Sequence, residues 1–184
     1  MNEFTIGNFE LIPEIIPPEG HMEIVVKPID MVTYWRRCGS ISNFIADFYK
    51  VNKDADFHEN LISTIFNELI ENASKYSTKR ESNIGIDVKL YNNILKLEVK
   101  NSSNRTNFLG LRKRLEKLLT TEDLDGLYLN EMVAKSRGDI NSGIGLLLML
   151  KDYNVKMGAK FIEDSDKELF NIIFQVYYFM EEVN

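Results

Sequence analysis

The sequence predicts an α+β fold, a two-layer sandwich in which helices cover one face of a mostly antiparallel sheet. Three observations predict it. Residues 57–77 carry apolar side chains at helical spacing over more than five turns. Residues 84–99 alternate apolar and polar with period two about the pair Asn92-Asn93, the pattern of a hairpin with one buried face. Further strand patterns lie near both ends of the chain, with helical patterns between them.

The elements follow in order. All four prolines, Pro13, Pro17, Pro18 and Pro28, fall in the first 28 residues. Residues 4–12 and 22–28 read as strands joined by a Pro-rich turn near a sheet edge, where a missing N–H does least harm. Asp30 suits the cap of a helix starting at Met31, in which Trp35, Cys38, Ile41, Ile45 and Phe48 recur at helical spacing; Gly39 is the expected point of bending or splitting. Asp56 and Glu59 form an acidic capping box for the long helix, whose apolar residues are Leu61, Ile62, Ile65, Phe66, Leu69, Ile70, Ala73 and Tyr76. After the hairpin, which Asn101-Ser102-Ser103-Asn104 ends, residues 107–135 read as two helices broken at Asp125-Gly126. Residues 136–142 are a polar loop, and Gly143-Ile144-Gly145 opens a short apolar helix to Tyr153. Two strands, 156–163 and 169–180, close the chain. With no repeat or low-complexity linker, residues 1–184 read as one domain, residues 1–56 leading into a core at 57–175.

Composition narrows the function. The chain has 184 residues, 44% hydrophobic and 27% charged, with net charge −6, which argues against a basic nucleic-acid binder. Cys38 is the single cysteine, so no intramolecular disulfide forms, and with only His21 and His58 a Cys/His zinc site is not expected. Neither a signal peptide nor a membrane span is read, and a cytoplasmic location is expected. Cys38 reads as core, His58 as exposed in the first turn of the long helix, and Arg112, Lys113, Arg114 and Lys117 as a solvated basic face able to meet phosphate. The aromatic run Tyr177-Tyr178-Phe179 reads as buried strand, with a homodimer face as the alternative.

Two pieces carry chemistry. On a helical wheel with Leu61 at zero, Glu68 falls near about 340°, Asn72 near about 20° and Lys75 near about 320°, one margin of the apolar arc, while Glu71 turns further toward water. An amide oxygen is a hard ligand suited to Mg²⁺, a carboxylate one turn earlier can take a proton, and an ammonium can offset phosphate charge. The plain alternative is a solvated helix edge with a Glu-Lys pair. The second piece is Ser142-Gly143-Ile144-Gly145, where glycines at a helix start allow close backbone approach and open N–H groups attract an anion; the alternative is a turn into a core helix.

Together these pieces resemble the GHKL ATPase superfamily and its Bergerat fold. Glu68-Leu69-Ile70-Glu71-Asn72-Ala73-Ser74-Lys75 resembles the N box, and residues 142–147 the second glycine box. With 56 residues ahead of the long helix, a complete histidine kinase is not expected; the nearest resemblance is to stand-alone regulators, the anti-sigma-factor serine kinases and SiaB-type partner-switching proteins. The resemblance implies ATP and Mg²⁺ as cofactors, Asn72 as metal ligand, Glu68 as general base, and Lys75, Ser142, Gly143, Ile144 and Gly145 around the phosphates. It implies a lid within 105–141, where Lys135 or Arg137 closes on phosphate. It implies a small regulatory protein as partner, such as a STAS-domain antagonist or another component of a sigma-factor pathway. One departure stands out: the first glycine box, Asp-x-Gly-x-Gly, is replaced by Asn101-Ser102-Ser103-Asn104. Asn101 would accept the adenine amine's bond without charge, a loss on the order of 1 kcal/mol. A serine kinase, a pseudokinase that binds partners without turnover, and an interaction domain without nucleotide are therefore all carried forward.

Overall fold

The computed structural model describes residues 3–33, 36–49, 55–77, 82–136, 144–153, 155–164 and 169–180. Its strands are β1 (Glu3–Gly7), β2 (Gly20–Val26), β3 (Ile84–Tyr91), β4 (Ile94–Ser103), β5 (Val155–Asp164) and β6 (Leu169–Phe179). Its helices are α1 (Pro28–Thr33), α2 (Arg36–Phe48), α3 (Ala55–Tyr76), α4 (Arg105–Thr120), α5 (Leu124–Ser136) and α6 (Ile144–Asp152). The strands form one sheet in the order β1-β5-β6-β4-β3-β2, and every neighbouring pair is antiparallel. This is the α+β, two-layer arrangement that the sequence predicts.

Register explains the layers. Ile86, Val88, Leu97, Val99, Val176 and Phe174 stand opposite one another across β3, β4 and β6 and are buried. They meet Ile62, Ile65, Phe66, Leu69 and Ile70 of α3, the apolar half of the helix. Each such leucine, isoleucine or phenylalanine contributes about 1.5–3 kcal/mol by leaving water. Asn92 turns the hairpin at φ 50°, a left-handed conformation that asparagine tolerates. Among the described residues no helix is long and apolar enough to cross a membrane.

The opposite face of the sheet carries a second, polar layer. The sequence predicts β1 and β2 as neighbours joined by a turn, but they are the two edges of the sheet. Strand β1 stops at Gly7, whose φ of +71° breaks the extended path, instead of running to residue 12. Residues 8–19 then cross the outer face as a strap. Gly158 lacks the side chain that would collide with the strap backbone at Asn8 and Phe9. Gln175 Oε1 accepts from the Glu10 amide at 2.8 Å, and the Tyr177 hydroxyl accepts from the Leu11 amide at 2.9 Å. Beneath the strap Gln175 donates through Nε2 to Glu98, which also pairs with Lys96 at 3.6 Å and Lys100 at 2.8 Å. Burial opposes the Glu98 charge, but hydrogen bonds from Lys100 and Gln175 and the two lysine charges outweigh it and hold the carboxyl below its ordinary value. Tyr177 and Tyr178 are buried within this one chain, the strand reading of that run.

Four other expectations are corrected. The first helix begins at Pro28, which suits a first-turn position because its missing N–H would have no partner there. Gly39 lies inside α2 and does not split it. The break between α4 and α5 falls at 121–123, because Asp123 accepts the Gly126 amide at 2.8 Å and thereby starts α5 ahead of Asp125-Gly126. Strand β4 continues through Ser103, since β6 pairs with it as far as Phe170. Trp35, Arg137, Ser142 and Gly143, and the side chains of Asp56, His58, Glu59 and Lys135, lie outside the described residues.

Candidate functional site

On the helical side, a cavity of about 680 Å³ opens between α3, β4, α4 and α6, within the usual range for a small-molecule site. Its origin is visible along β4. The inward residues are Leu95, Leu97 and Val99, all buried, and then Asn101 and Ser103, so the apolar filling stops and a polar wall begins. Glu68, Asn72 and Lys75, spaced four and three residues apart on α3, line the same cavity with Asn101 and Gly145. Five of the eight residues singled out from the sequence thus share one enclosure. Ile144 opens α6, half-buried, and is not part of the lining; Ser142 and Gly143 lie outside the described residues.

The end of α3 is fixed in place by side chains. The last carbonyls of a helix lack partners within it. Here Ala73 O accepts from Ser77 Oγ at 2.7 Å and from Asn101 Nδ2 at 3.5 Å, and Tyr76 O accepts from Ser103 Oγ at 2.7 Å and Asn107 Nδ2 at 3.2 Å. Residues of β4 and α4 therefore set the register of the helix that carries Glu68 and Asn72. With its amide nitrogen turned to α3, Asn101 has Oδ1 as the group suited to accept a bond from a ligand.

Glu68 lies against α6. A Cβ added to Gly145 would overlap the Glu68 carboxylate, so glycine is what lets the two elements meet. Gly145 is in the first turn of α6, where backbone N–H groups and the helix dipole favour negative charge. Glu71 departs from its expected place toward water: it is half-buried and lines the cavity. Burial pushes its carboxyl above the ordinary value, and a 2.6 Å bond from Asn67 Nδ2 offsets only part of that. Helix α2 packs against α3, and the thiol of its buried Cys38 is raised by burial first and by the Glu71 charge second. The Lys75 ammonium lies 5.2 Å from the centre of the Tyr76 ring.

Of the wall supplied by α4, the sequence singles out Arg114 as able to meet phosphate and misses Thr106, Asn107 and Gly110. Thr106, Asn107, Gly110 and Arg114 line the cavity, at the three- and four-residue spacing of one helix face. A Cβ on Gly110 would meet nothing within 4 Å. The signal was present as a small and polar stripe beside the apolar stripe Phe108, Leu111, Leu115 and Leu118. Arg114 pairs with Glu131 of α5, and Lys117 stands 3.5 Å from the same carboxylate. Burial works against the Glu131 charge, but the Arg114 hydrogen bond and charge, aided by Lys117, hold its carboxyl below the ordinary range. The rest of the basic patch faces outward, with Arg112 paired to Glu116 at 2.8 Å and stacked 4.8 Å from the Phe4 ring.

The donor set defines what the cavity can hold. Two carboxylates and a carboxamide stand on α3, with one ammonium on that helix and one guanidinium opposite. Such oxygen donors suit a hard divalent cation, and a polyphosphate would be repelled by Glu68 and Glu71 unless a cation lay between them. The residues present therefore fit a magnesium-bound phosphate ligand. No family model matches the chain, and no curated protein matches it.

Proposed function

We propose that the chain is a stand-alone ATP-binding regulatory protein of the GHKL type, which transfers the γ-phosphoryl group of ATP to a serine of a small partner protein, such as a STAS-domain antagonist or another sigma-factor pathway component. The observation that carries the reading is the convergence of Glu68, Asn72, Lys75, Asn101 and Gly145 on one cavity. Asn72 would hold magnesium through Oδ1; the ion, when bound, neutralises phosphate charge. Lys75 adds positive charge on the same wall. Glu68 accepts the proton of the partner hydroxyl through a carboxylate oxygen, and Asn101 accepts a bond from the base through Oδ1. Phosphoryl transfer depends chiefly on position and charge neutralisation, so these few groups suffice.

The test is calorimetric titration of Mg·ATP into the protein beside an Asn72→Ala variant. Binding between about 1 µM and 1 mM, equivalent to about 8 to 4 kcal/mol, is expected for the parent and is lost in the variant. No heat and no thermal shift at millimolar nucleotide would refute the reading. A second reading, a pseudokinase acting through protein contacts, is favoured by Asn101-Ser102-Ser103-Asn104, which offers no charged acceptor and no glycine where a base would approach. Glu68→Ala separates the two: it abolishes partner phosphorylation while sparing nucleotide binding in a kinase, and leaves partner binding unaltered in a pseudokinase.

A further inference from the structure

We propose that the outer face of β2 and β3 carries a transition-metal site, with His21, Glu23 and Asp87 as ligands for a divalent first-row ion such as zinc. The backbone dictates the constellation. His21 and Glu23 are two residues apart on β2 and so share a face, and Asp87 stands directly opposite Glu23 in the antiparallel register. Val88, the next residue of β3, points into the core, so this site and the cavity lie on opposite sides of the sheet.

The distances match the chemistry. His21 Nε2 lies 3.3 Å from Asp87 Oδ1 and 3.7 Å from Glu23 Oε1, and all three ligand atoms fall within 4.8 Å of one another. Ligands held 2.0–2.1 Å from a tetrahedral zinc are about 3.4 Å apart, so small side-chain rotations bring this triangle onto an ion. Imidazole with two carboxylates is a borderline donor set that selects zinc or a neighbouring first-row ion over magnesium, and two negative charges balance a divalent cation. Asp87 is largely buried at 14% exposure, which fixes one corner, while Glu23 and His21 are open enough to admit the ion and leave its fourth position to water. Lys89, opposite His21 in the register, stands 3.5 Å from the other Asp87 oxygen and is the cation that competes for this carboxylate.

The experiment is calorimetric titration of zinc chloride into the tag-free, chelator-treated full chain, with and without excess magnesium. One zinc per chain is expected, unaffected by magnesium. His21→Ala and Asp87→Asn should each weaken binding at least about tenfold, the scale on which disturbing a metal's ligands acts. Lys89→Met, which removes only the competitor, should bind zinc several-fold more tightly, a gain that a merely damaged fold does not give. Absence of binding at millimolar zinc, binding that survives His21→Ala undiminished, or weaker binding by Lys89→Met would overturn the proposal. Nucleotide plays no part in the measurement, so the result is independent of the function proposed for the cavity.

Discussion

Gly145→Ala is the perturbation that interrogates the cavity most directly, because two opposed effects of similar size meet at one atom. The three atoms nearest to a Cβ at this position are Oε2, Cδ and Cγ of Glu68. The backbone there lies outside the left-handed region, so alanine meets no conformational strain of its own. Replacing glycine by alanine in a helix stabilises by about 0.5–1 kcal/mol. Forcing Glu68 off its rotamer costs about 0.5–1.5 kcal/mol. The single variant should therefore lie between about 0.5 kcal/mol stabilised and about 1 kcal/mol destabilised. In a Glu68→Ala background the collision is gone, and the same replacement should stabilise by about 0.5–1 kcal/mol. The two effects differ by about 1 kcal/mol, a coupling that a double-mutant cycle resolves. Urea unfolding of the four proteins measures it, and a thermal midpoint should move by about 2–4 °C per kcal/mol at this chain length. If Gly145→Ala shifts stability equally in both backgrounds, within about 0.3 kcal/mol, Glu68 does not rest on α6 and the site geometry argued above fails.

Two further predictions concern the polar layer beneath the strap. Glu98 has its carboxyl held below the ordinary value in the folded chain, so the unfolded chain binds a proton first as pH falls. Its contribution to stability is complete above the unfolded value of about 4.5 and is lost as pH drops through the lower folded value. Glu98→Gln should lower stability at pH 7 by about 1–3 kcal/mol and flatten the loss below pH 4.5, leaving the part due to Glu131, which titrates with the same sign; unfolding curves from pH 7 to pH 3 check this, and an unchanged slope would count against it. Tyr177→Phe removes the acceptor of the Leu11 amide and a donor to Gln175 and should cost about 1–3 kcal/mol. Amide hydrogen exchange should then quicken at Leu11 while the amides of β3 and β4 hold, and uniform exchange along the chain would refute the strap's dependence on this hydroxyl.

Much of this molecule was legible because hydrophobic periodicity reports directly on which face is buried. The stripe on α3 and the alternation through β3 and β4 needed no tertiary information, and Glu68, Asn72 and Lys75 followed from the same count of 100° per residue. The errors lie where a partner element decides. Glu71 reads as a solvent residue on α3 alone, but elements distant in sequence enclose the cavity it lines and leave it half-buried. Gly39 reads as a breaker, yet it stands in a helix where a side chain would have room. The strap was illegible because Gln175 and Tyr177 look like ordinary strand residues; their work, binding the amides of Glu10 and Leu11, spans more than 160 positions of sequence.

The polar insertions in this sheet follow one rule, that an inward or covered polar residue is kept where a backbone group would otherwise go unpaired. On the outer face, Gln175 and Tyr177 replace apolar residues because a crossing segment with no strand partner needs acceptors for its N–H groups. On the inner face, Asn101 and Ser103 replace them because α3 ends there and its carbonyls need donors. The second replacement has a consequence that the first lacks. Donors that reach a helix end are short, so Asn101 and Ser103 fill less space than the leucines preceding them on β4. The space left is the cavity, and it opens beside the turns of α3 that carry Glu68 and Asn72. Asn101→Leu would exchange that donor for bulk: it should partly fill the cavity, free Ala73 O from one of its bonds, and abolish the Mg·ATP binding proposed for this cavity, as read by calorimetric titration, while leaving the sheet intact.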